Sequence, residues 1–191
     1  MIPLKQTQIV NKNSRKTFLD TISNKDFFPV HVTVSAIQGL YHVSEKGDEK
    51  YLIPLLDCDN KKIAGVTLST LYTNFHLGEQ LKDRIVCFAS HYLKEDEDND
   101  LQTNAIIALA DMSLTDTTML KKLIEIGEKY FEIVPETNAA CTNALVWKLL
   151  ANHTGKKIDG EAINELVWNT HSERSEEIRC QIRKNIILKL K

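Results

Sequence analysis

Glycine and proline are scarce in this chain, at seven and four of 191 residues. So few turn residues argue against a protein built from many short strands and favour long helices. No apolar run approaches the 18 residues or so of a membrane-crossing helix. The opening stretch, MIPLKQTQIV, lacks a basic segment followed by an apolar one, so no signal peptide is read there and a cytoplasmic protein is expected. Cys58, Cys87, Cys141 and Cys180 are widely spaced, with no CxxC. In a reducing compartment they read as free buried thiols, Cys87 and Cys141 lying inside apolar helical patterns. Neither half is basic. Residues 1–100 hold 12 Lys and Arg against 14 Asp and Glu, and residues 101–191 hold 12 against 12, so there is no cationic arm for nucleic acid.

Signatures of catalysis are missing too. The six histidines form no HExxH or HxxxH pair, and none stands near a cysteine at metal-ligand spacing. There is no GxSxG, no P-loop and no GxGxxG. The expectation is therefore no catalytic residue, no metal and no cofactor. Glu95, Asp96, Glu97, Asp98 and Asp100 are five acids within six residues, but the central glycine and distal glutamate of a calcium loop are absent.

What the chain does have is helical periodicity. At 42% hydrophobic and 26% charged it is an ordinary globular composition that can bury a sizeable core. In DLQTNAIIALADMSL, residues 100–114, Leu101, Ala105, Ala108, Leu109 and Met112 recur at helical spacing on one face. A template of a branched residue followed by others at +4, +7 and +8 appears five times. Its members are Val32, Ala36, Gly39 and Leu40; Ile63, Thr67, Thr70 and Leu71; Leu101, Ala105, Ala108 and Leu109; Thr137, Cys141, Ala144 and Leu145; and Ile178, Ile182, Asn185 and Ile186. The +8 members step by 31, 38, 36 and 41 residues. Each segment has an apolar stripe too wide to bury alone, so neighbours must stack. The pattern predicts ten helices in five antiparallel pairs, with residues 1–13 as a lead-in and 14–191 as one repeat domain. Val32, Leu40, Ile63, Leu71, Leu101, Leu109, Leu145 and Ile186 are expected in the core, with Trp147 and Trp168. Asp116 or Thr115, Asp159, and Ser172 or Ser175 are candidate helix caps, and Gly155 a stop.

These segments resemble the second helix of a HEAT repeat, whose consensus runs Val-Arg, then Ala, Ala and Leu. Ile178-Arg179 matches the first pair, and Ala105, Ala108 and Leu109 the small-small-Leu part. The resemblance implies an all-α fold, a right-handed α-solenoid with outer helices on its convex side and inner helices on its concave side.

Offsets +2, +6 and +13 of the template then point into the concave groove. Only the last segment supplies cations there, Lys184 and Lys191, so nucleic acid is disfavoured, because phosphate tracking needs several. Gln38, Ser69, His76, Thr103, Ile107 and Asn143 fall on these groove positions, and Tyr41, Tyr72 and Val146 border them at +9. With Glu95, Asp96, Glu97 and Asp98 as an acidic rim, they form the expected partner-binding surface. The expected function is non-catalytic protein binding by a chain that is a monomer when free. Small bacterial immunity proteins with helical repeats suggest, by analogy of fold, an inhibitor that occludes the working surface of a toxin or enzyme, including a basic toxin domain. The alternatives are an assembly scaffold or adaptor and a nucleic-acid-binding protein like the DNA glycosylases built from HEAT-like repeats.

Overall fold

Every regular element in the computed structural model is helical, and no strand occurs among the described residues. The described backbone covers 4–91, 98–132, 137–155 and 157–189, with side chains described over 12–91, 98–129, 140–155 and 157–188. The helices are α1 (Leu4–Ser23), α2 (Val30–Leu40), α3 (Glu49–Leu52), α4 (Lys61–Thr73), α5 (Lys82–Ala89), α6 (Asp100–Met112), α7 (Thr117–Glu132), α8 (Thr137–His153), α9 (Gly160–Trp168) and α10 (Glu173–Lys189). Short 3-10 turns occupy Lys25–Phe27 and Ile53–Asp57. No described helix is long and apolar enough to cross a membrane.

Local chemistry sets many of the boundaries. Asp159 Oδ1 accepts the Ala162 N–H at 2.8 Å, and Asp116 Oδ1 accepts the Thr118 N–H at 2.7 Å, satisfying amide groups that the first helical turn leaves open. Asn60 does the same for Lys62 and Ile63, and Ser172 for Ser175. Gly155, at φ 71°, ends α8 in the left-handed region that a side chain disfavours. Pro54 stands where α3 tightens into a 3-10 turn, because proline has no N–H to continue the ladder. Helix α1 begins at Leu4, inside the segment expected as a lead-in, since nothing between Leu4 and Ser23 interrupts it.

The chain divides into two units, Met1–Lys82 and Asp83–Lys191. In the first, α2 packs against α1 and α4, and α4 also packs against α3 and its 3-10 turn. Ile22, Ile37, Leu40, Leu52, Leu56, Leu68 and Leu71 are buried. Each contributes about 1.5–3 kcal/mol by leaving water. The Phe18 ring lies directly on Gly39, where a Cβ would stand 2.5 Å from it. In the second unit α8 packs against α6, α7, α9 and α10. Ile85, Ile106, Leu109, Leu123, Trp147, Leu150 and Leu166 are at its centre.

The predicted core holds at Leu40, Ile63, Leu71, Leu101, Leu109 and Ile186, all buried, while Val32 and Leu145 are half-buried. In α8 the register is rotated from the expected one. Cys141 is exposed and Leu145 half-buried, whereas Thr142, Asn143, Val146, Trp147 and Leu150 are buried. The reason is that α8 is covered on several sides at once, and the indole of Trp147 takes the deepest position. Three further expectations are corrected. All four cysteines are free thiols, but Cys87 and Cys141 are exposed, and Trp168, the last residue of α9, is 71% exposed.

Candidate functional site

The sequence-predicted surface residues fall into three groups. In the first unit Gln38 is exposed and Tyr41 is 45% exposed, its ring edge-on to His42 at 5.2 Å. Ser69 and Tyr72 on α4 are half-buried. The Tyr72 ring covers Gly78, where a Cβ would approach it to 2.9 Å. His76, just past α4, is exposed and has φ 54°, an uncommon conformation for a residue with a side chain. In the second unit Thr103 is half-buried and Ile107 is 47% exposed. Leu114, in the turn just past α6, is 61% exposed. Asp98 is half-buried and turns back to accept the Asp100 N–H at 2.9 Å. Glu95, Asp96, Glu97 and Lys191 lie outside the described residues.

Asn143 and Val146 are corrections. Both are fully buried and unavailable to a partner. Asn143 accepts the indole N–H of Trp147 at 3.1 Å and donates to the Leu166 carbonyl of α9 at 3.4 Å. Val146 faces Gly127 of α7, where a Cβ would reach it at 3.0 Å. The rotated register of α8 turns both toward neighbouring helices.

Side chains capable of chemistry meet at three places in the second unit. At the ends of α6 and α8, Ser113 Oγ lies 2.8 Å from His153 Nε2, a distance suited to a nucleophile and its base. The Ser113 hydroxyl also lies 2.6 Å from the Ala110 carbonyl, which competes with the histidine for its one proton. Ser113 is also only 4% exposed. The pair ties two helix ends together.

The second place surrounds Trp147. The guanidinium groups of Arg179 and Arg183, one turn apart on α10, each lie 5.9 Å from its ring. Arg179 is fully buried, bonded to Glu176 and, through Nε at 3.4 Å, to the Ser175 carbonyl. Arg183 spans Glu128 of α7 at 3.0 Å and Glu176 at 2.8 Å, and donates to the Cys180 sulfur at 3.4 Å. Two arginines and two glutamates cancel, which lets so much charge stand against an apolar ring. Burial pushes the Arg179 pKa down. For Glu176, burial acts upward but the Cys180 thiol and both arginines outweigh it, holding the carboxyl below its usual range. A carboxylate held ionised in this way is no proton donor near neutral pH. The cluster clamps α7, α8 and α10 together.

The third place is an open cleft of about 620 Å³ bounded by the end of α8, the turn before α9, and one side of α10. Its floor is aliphatic: Ala151, Ile158, Ala162, Ile178 and Ile182. Its rim is polar, with Lys157, Asp159, Glu177, Gln181 and Lys184 all exposed. Cys180 links the two places, lining the cleft while its thiol donates to Glu176 at 3.4 Å. Sequence reading misses this cleft. Gly155-Lys156-Lys157 reads there as a helix stop, although the stripe Glu177, Gln181, Lys184 has a readable helical spacing. Among the described residues no three His, Cys, Asp or Glu side chains are gathered as a metal site would gather them. Comparison with protein-family models, curated proteins and solved structures finds no match to this chain.

Proposed function

We propose that this protein is a non-catalytic helical-repeat protein that binds another protein, acting as an inhibitor that covers the working surface of a toxin or enzyme. In this reading each unit is a right-handed run of HEAT-like helix pairs. The first holds α1 with α2 and α3 with α4, and the second holds α5 with α6, α7 with α8 and α9 with α10. The order of packing supports it: α2 touches α4 in the first unit, and α6 touches α8 and α8 touches α10 in the second, as stacked neighbours would.

The observation that carries the binding reading is the exposure of Ile107 on α6 and of Leu114 in the turn just after it, 47% and 61%. Two exposed branched side chains this close in sequence suit paired anchors for a partner. In the sequence the acids from Glu95 to Asp98 come directly before α6. Their charge would speed the approach of a basic partner more than it would tighten the complex.

Co-expression with the product of the adjacent gene in a bacterial host tests this. The parent should restore growth against a toxic neighbour, and the double variant Ile107→Asp, Leu114→Asp should not. A scaffold would form a complex with the neighbour and leave growth unchanged. A neighbour equally toxic with and without this chain would refute the inhibitor role.

A further inference from the structure

The second unit holds guanidinium groups of its own against Trp147. Arg179 and Arg183 each stand 5.9 Å from that ring, and Glu176 accepts a hydrogen bond from both. An indole face draws a cation by its quadrupole, and a carboxylate beside it takes the cation's N–H groups. Trp168 and Glu165, on α9, repeat the indole and the carboxylate of that set. Trp168 is 71% exposed. The two residues are three apart on the helix, which sets their Cβ atoms about 5–6 Å from each other on one side of it. Arg174 acts on Glu165 through its charge, but its guanidinium is bonded to Glu161 at 3.3 Å. Among the described residues no cation lies over the Trp168 ring.

Three features of this place favour a cation, and each has a separate origin. The exposed indole is one. The second is the Glu165 carboxylate. Ser172 Oγ donates to its Oε1 and Asn169 Nδ2 to its Oε2 at 3.0 Å, and these bonds hold its pKa below the usual range. Each oxygen keeps a further lone pair, so the carboxylate can still accept two N–H groups side by side. The third is the C-terminus of α9, where Trp168 is the last residue. A helix end of this sense carries partial negative charge, and the last turn of α9 has no basic residue to meet it. The mount is also fixed in advance. Ser172 accepts the Ser175 N–H at 3.0 Å, and the Thr170 hydroxyl donates to the Leu166 carbonyl at 3.0 Å. A turn tied in this way loses little freedom when a ligand arrives. A planar cation with forked donors can lie on the indole while two of its N–H groups meet Glu165, whereas an ammonium is a single point of charge.

We infer that Trp168 and Glu165 bind the guanidinium group of an arginine presented by a protein partner. The source of the arginine rests on the protein-binding reading above. The preference for the group itself rests on α9 and the turn after it.

Proton–nitrogen NMR of the indole N–H groups tests this on the full chain, whose two tryptophans give two such signals. Trp168→Phe identifies the Trp168 signal by removing it. The probes are the N-acetyl methylamides of arginine, lysine and citrulline, titrated at constant ionic strength. Citrulline keeps the planar shape and loses the charge. The Trp168 signal should move with arginine, and at least about threefold less at equal concentration with lysine or citrulline. The Trp147 signal should stay, because that ring is buried. Glu165→Gln should weaken the arginine response about threefold, the contribution of one exposed ion pair, and Glu79→Gln in the first unit should not. The citrulline comparison uses the parent chain, so it holds even where Glu165→Gln loosens the turn. No movement with arginine, citrulline or lysine equal to arginine, or Glu165→Gln titrating like the parent would each overturn the assignment. The growth assay depends on Ile107 and Leu114, so failure here and failure of the inhibitor role are separate results.

Discussion

Removing the Asp48 carboxylate should destabilise the first unit by about 2–4 kcal/mol. Asp48 precedes α3 and is 1% exposed. It accepts three hydrogen bonds: Arg15 Nε at 2.9 Å, Arg15 Nη2 at 2.6 Å and the Glu45 N–H at 2.8 Å. Arg15 comes from the middle of α1, so the pair closes a loop of 33 residues. Breaking a buried pair from one side costs about 3–5 kcal/mol, because the surviving charge loses its partner. Here the side chain of Arg15 is 24% exposed and also lies 3.3 Å from Glu45, which softens the loss. Asp48→Ala should show most of it. Asp48→Asn keeps an acceptor for the Glu45 amide and should cost less. Burial acts to raise the Asp48 pKa, but the Arg15 hydrogen bond, the Glu45 amide and nearby cationic charge outweigh it and hold the pKa below the usual carboxylate range. A group lower in the folded than in the unfolded state stabilises fully above its unfolded pKa. That stability is lost as pH falls through the folded value. The gap between parent and Asp48→Asn should therefore be full at neutral pH and close below about pH 4, where aspartate in the unfolded chain takes up its proton. Urea unfolding followed by far-ultraviolet circular dichroism is the right assay, because both tryptophans, Trp147 and Trp168, lie in the other unit and would not report this one. Asp48→Ala within about 0.5 kcal/mol of the parent at neutral pH, or a gap unchanged on acidification, would refute the reasoning.

Leu109→Ala should cost about 2–5 kcal/mol in urea unfolding followed by tryptophan fluorescence, since Leu109 is fully buried in the second unit. Gly39→Ala should lower stability by about 1–2 kcal/mol although alanine favours helix, because the new Cβ would stand 2.5 Å from the Phe18 ring; a gain in melting temperature would show that the ring swings aside without cost. Thr67→Val should raise stability by about 1 kcal/mol, since the Thr67 hydroxyl is buried and has no hydrogen-bond partner among the described residues. With a thiol reagent under native conditions, Cys87 and Cys141 should react before Cys58, which is half-buried and whose thiol burial pushes upward in pKa.

How much of this molecule can be read from its sequence depends on how many sides of each helix are covered. Helix α6 is the legible case. Its buried positions Leu101, Ala105, Ala108 and Leu109 follow the periodic template, and Ile107 emerges on the face the template leaves open. The caps at Asp116 and Asp159 and the stop at Gly155 are legible for a different reason, since each acts within four residues of itself. Helix α8 fails the same reading because apolar and small residues run nearly all round it. A template laid on such a helix can be turned by one residue without losing a match, and the turn carries Asn143 and Val146 from a predicted surface into the core.

The two tryptophans show what the period cannot supply. Trp147 and Trp168 both follow apolar helical spacing, yet one is fully buried and the other 71% exposed. The difference lies in their neighbours. Trp147 sits in mid-helix opposite Gly127, where an added Cβ would stand 3.3 Å from the indole, and the Arg179 and Arg183 guanidinium groups lie over its ring. Trp168 is the last residue of α9, two positions past Leu166, which is buried. The burial of Arg179 draws on both kinds of partner, Glu176 one turn earlier on α10 and the Trp147 ring of α8, and only the first is local in sequence. The same holds for the cleft. Its floor draws on α8, α9 and α10 together, so no single periodic segment contains it, and only the α10 wall carries a local signal. Where a cleft is assembled from several helices in this way, the part legible in advance is the stripe on one helix.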